Sequence, residues 1–169
     1  MKNQIMITAS NSFSELGDNI TAHYGIERDG TVRIFFDSDE VIDLPEIGNA
    51  EICSRVVAIC LANGGAVMRV GRRFVPDVRV YEYCSCSPYR GEMYYEAFPT
   101  AQTNALRGLL SGLIKRYDIR FVYDSRLSIV CPRAISGESG VFFASSYDEK
   151  NINIHPQPNI IRMIKKLAI

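Results

Sequence analysis

Tryptophan is absent from this chain, and histidine occurs only twice, at His23 and His155. That scarcity constrains zinc chemistry from the outset, because a hydrolytic zinc site takes about three protein ligands and leaves one position open for water. Net charge is missing as well. Nineteen basic residues balance 19 acidic ones, so charge gives no reason to expect nucleic acid or an anionic membrane as a partner. The local cluster Arg69, Arg72, Arg73 reads as a solvated loop patch. No apolar run is long enough to span a bilayer. The opening MKNQIMITASNSF has a single lysine and turns polar early, so the expectation is a chain without a secretory signal, made in the cytoplasm. The cysteine count is five, an odd number, and the one close pair, Cys84-Ser85-Cys86, is too tight for a zinc knuckle or a redox C-x-x-C. A reducing interior follows as the expectation.

What is present is globular. Apolar residues make up 47% of the 169-residue chain, enough for one domain with its own core over residues 1–169. Gln4 to Thr8 reads as a first strand and Ser10 to Asp18 as loop or short helix. AHYGIERDGTVRIFF reads as a hairpin around Asp29-Gly30, a strong turn signal. Residues 43–55 look irregular or weakly helical, and RVVAICLANGG reads as a strand buried on both faces. Residues 65–96 form an irregular insertion region, with VPDVRVYEYCS alternating well enough for one strand. A helix capped by Thr100 follows, its apolar face made by Leu106, Leu109, Leu110, Leu113 and Ile114. IRFVYD reads as a strand, residues 125–157 as a long coil with small interruptions, and Ile160, Ile161, Ile164 and Leu167 mark a closing amphipathic helix. Strands interleaved with helices predict an α/β domain with a mixed sheet.

Segments in this order resemble the zinc-dependent N-acetylmuramoyl-L-alanine amidases, whose fold is shared by phage lysozymes of the amidase type and by peptidoglycan recognition proteins. ITAHYGIERDGTV is similar to the family's S-x-H-Y-x-I-x-R-D-G-T-V hairpin, and VVAICLANGG to its S-I-G-I-E-L-x-N-x-G strand. YRGEMYYEAFPTAQTNALRGLLSGLIKRYDI is similar to the R-G-x-x-Y-x-E-x-F-T-x-A-Q helix of one phage and bacterial branch. The tail GVFFASSYDEKNINIHPQPNIIRMIKKL resembles that branch's end. The resemblance implies a central mixed β-sheet with helices on both faces and a substrate groove along one edge.

It also implies a site that has lost its chemistry. The family's first-strand zinc histidine falls on Met6, the second on Ala144, and the third ligand on Asn153. The catalytic glutamate falls on Cys60, while Lys150 keeps the lysine of the D-K motif. A thioether, a methyl group and an amide do not hold a hydrolytic zinc ion, and without it water is not acidified toward a pKa of about 7. Loss of the glutamate removes the proton shuttle too. The expectation is therefore an inactive amidase-type scaffold without cofactor. It would be a structural or binding component, of a phage virion tail or baseplate or of a cell-wall-binding assembly, with protein subunits or peptidoglycan as partners. Two rivals remain: an active amidase with a relocated zinc site built from His23, His155 and acidic residues, and an intracellular pseudoenzyme that regulates a host protein.

Each remaining candidate has a plain reading beside the functional one. His155 precedes a proline, where backbone is extended, and reads as a structural hydrogen-bond partner. His23 reads as packed or groove-lining. Cys60 sits in an apolar strand, where burial raises a thiol's pKa and makes it inert as a nucleophile. Tyr89 and Arg90 belong to an aromatic stretch that suits a glycan or protein surface as well as packing under the next helix.

Overall fold

The computed structural model describes residues 1–82, 94–120, 139–143 and 157–168. Strands β1 (Gln4–Ala9), β2 (Tyr24–Ile26), β3 (Val32–Ile34), β4 (Val56–Leu61) and β9 (Gly140–Phe143) form one sheet in the order β3-β2-β4-β1-β9. β1 runs parallel to both β4 and β9, β2 runs parallel to β4, and only β2–β3 is antiparallel. The sheet is mixed, as the sequence predicts. Its central strands are buried along their whole length, which explains why VVAICL is apolar without alternation. The β2–β3 hairpin turns at Asp29-Gly30: Gly30 adopts φ +90°, and Asp29 accepts a hydrogen bond from the Thr31 N–H at 2.8 Å.

Strand alternation sorts the core into two layers. Ile5, Ile7, Val57, Ile59, Leu61, Val141 and Phe143 face one side, where they meet helix α2 (Thr100–Arg116) through Leu106, Leu110 and Leu113. Helix α3 (Pro158–Leu167) adds Ile160, Met163 and Ile164 to the same layer. Met6, Val56, Ala58, Cys60, Ala62 and Phe142 face the other side. There the cover is coil contributing Leu16, Ala22, Ile42 and Leu44, plus α1 (Ala50–Cys53), a single turn that the Asn49 side chain caps through the Ile52 N–H at 3.1 Å. The expectation of helices on both faces is thus corrected in part. The long helices share one face, and the other carries a strap of loop that needs no amphipathic period.

Other expectations also change. Thr100 is the first helical residue of α2 and not its cap; Pro99 stands at the cap position and offers no side-chain acceptor. The insertion region contains a hairpin, β5 (Met68–Val70) with β6 (Arg73–Val75), and a second pair, β7 (Val80–Glu82) with β8 (Tyr94–Glu96). These three-residue strands are too short for period-two patterning to stand out. One of the small interruptions expected in the coil at 125–157 is β9, whose apolar Val141, Phe142 and Phe143 are buried beside β1; most of that stretch lies outside the described residues. In IRFVYD, Ile119 and Arg120 are coil, and the rest lies outside the described residues. No described helix is long and apolar enough to cross a membrane.

Candidate functional site

Parallel sheets collect ligands at the carboxyl ends of their strands, where backbone ends and loops converge. A cavity of about 490 Å³ opens there, above the ends of β1 and β4. Thr8 and Ala9 of β1 and Cys60 of β4 form its floor, and the loop after β1 supplies Ser10, Ser12, Asn19 and Thr21. Glu15 from that loop and Glu46 from the strap supply negative charge, and no basic side chain lines it among the described residues. Thr8 is paired in register with Cys60, so hydroxyl and thiol lie side by side on the same sheet face. The Thr8 Oγ1 is buried and has no hydrogen-bond partner among the described residues.

The chemistry of these groups is limited. The Cys60 thiol is pushed up to about 12, by burial first and then by the carboxylates of Glu46 and Glu27. It stays protonated at neutral pH and is poor both as nucleophile and as metal ligand. Met6 is 1% exposed and lies one register step deeper, beside Ala58 and Phe142, inside the apolar layer under the strap. A buried thioether, a protonated thiol and a hydroxyl do not match the imidazole, thiolate or carboxylate donors that a hydrolytic zinc ion requires. No cluster of three or more His, Cys, Asp or Glu with metal-binding geometry occurs among the described residues.

His23 is fully buried, and both of its ring nitrogens are engaged. The Ala58 N–H donates to Nδ1 at 3.0 Å, so Nδ1 carries the lone pair. Nε2 faces the Glu40 carbonyl at 3.1 Å and must carry the proton. The ring is neutral, and burial, its largest influence, holds its pKa below the ordinary 6.5. His23 therefore packs between β4 and the strap and does not line the cavity. Ala144, Lys150, Asn153, His155, Tyr89 and Arg90 lie outside the described residues.

The motif residues Arg28, Asn63, Glu96, Gln102 and Gln157, which carry part of the family resemblance, meet elsewhere, in a largely buried polar hub at the same end of β4. Arg28 forms an ion pair with Glu96, donates through Nη1 to the Ser14 carbonyl at 2.9 Å and through Nη2 to the Ser12 carbonyl at 2.9 Å. The Glu96 carboxylate also accepts from the Gly64 N–H, and its carbonyl accepts from Asn63 Nδ2 at 3.1 Å and Gln157 Nε2 at 2.7 Å. Gln102 Nε2 spans the Ile26 and Ala62 carbonyls at 2.9 and 3.0 Å. These side chains tie β2, β4, β8, α2 and the lead into α3 together. Their spacing in the sequence reports how these elements pack together. The lining residues Thr8, Ser10, Glu15 and Glu46 went unnoticed in the sequence, although the polar T-A-S ending of an apolar strand was a usable signal.

No family model matches the chain, and no curated protein matches it. Among solved structures, the chain is similar to the N-acetylmuramoyl-L-alanine amidase LysC from Clostridium intestinale URNW, with 15% identity and a TM-score of 0.43. The match covers 70% of this chain and 66% of that protein, just under two thirds of its length.

Proposed function

We propose that this chain is a non-hydrolytic protein of amidase-type architecture that works by binding. It serves as a structural or cell-wall-binding component, with a phage tail or baseplate as its setting. The observation that carries this reading is the pairing of Thr8 with a buried Cys60 whose thiol is pushed to about 12, at the mouth where hydrolysis would need an activated water. The ordered motifs support the scaffold, since the residues that fill the polar hub match the family's pattern while two of the four chemical positions, Met6 and Cys60, carry sulfur side chains. The cavity offers hydroxyls, an amide and two carboxylates, which suit hydrogen bonding to the hydroxyl and amide groups of a polymer such as peptidoglycan.

Co-sedimentation with insoluble peptidoglycan, together with turbidity of the same suspension, tests the proposal. Retention of the protein without clearing of the suspension is expected. Retention should fall with Thr8→Val and Glu46→Gln combined. Clearing of the suspension, or loss of retention altogether, would overturn the cell-wall-binding reading.

A further inference from the structure

The strap that closes the second face of the sheet is pinned at one point by an unusual pair of buried groups. Lys2, just before β1, is 5% exposed, and its Nζ donates to the carbonyls of Glu40 and Val56 at 2.8 Å each and lies 3.5 Å from that of Cys53. His23 Nε2 donates to the same Glu40 carbonyl. From the far side, Tyr117 at the end of α2 bonds the Ser38 hydroxyl and the Asp39 carboxylate at 2.7 Å each, and Arg116 pairs with Asp39. Residues 38–40 are thus held from β1, β2 and α2 at once. Five residues further on, the same strap delivers Pro45 and Glu46 to the wall of the cavity.

We propose that His23 and Lys2 form an acid-sensitive latch on the strap of residues 36–49, so that protonation of His23 releases the strap and opens the cavity wall it supplies. The inference rests on hydrogen-bond polarity and burial, independently of what the cavity binds. A proton added to His23 goes to Nδ1, which faces the Ala58 N–H at 3.0 Å. Donor then meets donor, and that bond is lost. The new charge is buried and adjoins the Lys2 ammonium, which shares its acceptor. Burial is the largest influence and opposes protonation, as Lys2 does; the Glu40 carbonyl on Nε2 and the charges of Glu40 and Asp37 favour it and are outweighed. Asp39 and Cys53 act on Lys2, whose own pKa burial lowers. The bond from Nε2 to the Glu40 carbonyl survives protonation, but the ring is fully buried beneath the strap, and the new charge is solvated where the strap lifts and admits water.

The sign follows from linkage. The folded state holds His23 below its unfolded pKa, so the latched form is fully favoured above about pH 6.5 and loses ground as pH falls toward the folded value. Across that window the open fraction rises by up to about tenfold per pH unit.

Hydrogen exchange read by mass spectrometry near pH 7.5 and pH 5, corrected for the intrinsic pH dependence of exchange, tests this. Protection over residues 36–49 should drop at the lower pH while β4 and α2 keep theirs. His23→Gln, which retains one donor and one acceptor but does not titrate, should abolish the difference. The ring proton signals of the two histidines give a second readout, with His23 titrating below 6.5 in step with the loss of protection. Protection that does not change with pH would overturn the latch, as would an unchanged acid response in His23→Gln or His23 titration without strap opening.

Discussion

Ile5, Ile7, Ile59 and Leu61 meet two amphipathic helices, whereas Met6, Ala58 and Cys60, one residue away on the same strands, meet a strap of coil and a single helical turn. The first layer is held chiefly by apolar area, with uncharged hydrogen bonds from Gln102 and Gln157 at its edge. Each fully buried aliphatic side chain there contributes about 1.5–3 kcal/mol, and no proton or ligand alters that. The second layer also buries apolar groups, but its cover is positioned by hydrogen bonds from Lys2, His23 and Tyr117 to a few strap atoms. A cover held that way is conditional. It can respond to pH or to a ligand at the cavity, and the helix face cannot.

The contrast can be broken or sharpened by experiment. The largest effect is chemical. With the Cys60 thiol near 12 against an ordinary value of 9.0, its alkylation by iodoacetamide near pH 8 should run about 10³-fold slower than in the unfolded chain. Peptide-resolved mass spectrometry reads that rate, and modification at an ordinary thiol rate would mean that the strap face is open. Next comes the helix face: Leu110→Ala should cost about 3 kcal/mol of stability in urea unfolding, with no change in the pH response of the strap. Breaking the hub by Glu96→Gln should cost about 2 kcal/mol, since Arg28 then loses its charge partner and the Gly64 N–H a strong acceptor. The smallest is Tyr117→Phe, about 1 kcal/mol, felt as faster exchange in the strap and not in β4. Equal effects of Leu110→Ala and Tyr117→Phe on strap exchange would erase the distinction between the faces.

Much of the helix face was legible in the sequence. Leu106, Leu110 and Leu113 recur at helical spacing, VVAICL reads as a strand buried on both sides, and Asp29-Gly30 announces the hairpin. The strap face was not legible, because coil covers a sheet without leaving a period. Lys2 illustrates the difficulty: nothing in its sequence neighbours signals burial, and only the three carbonyls around its Nζ explain it. The short strands β5 and β6 and the four-residue β9 lay below the length at which alternation can be distinguished from chance. At the candidate site, the burial of Cys60 was legible from the apolar strand around it. The cavity beside it was not, because Glu15 and Glu46 come from loops distant in sequence that only the fold brings together.

The central claim is that a buried thioether at Met6 and a protonated thiol at Cys60 leave this end of the sheet unable to hold a hydrolytic metal ion. Native mass spectrometry of protein purified without chelator and dialysed against a slight excess of zinc tests it most directly. The account predicts well below one zinc per chain, because fewer than three competent ligands meet at this end of the sheet among the described residues. A stoichiometric zinc adduct that Cys60→Ala removes would contradict it.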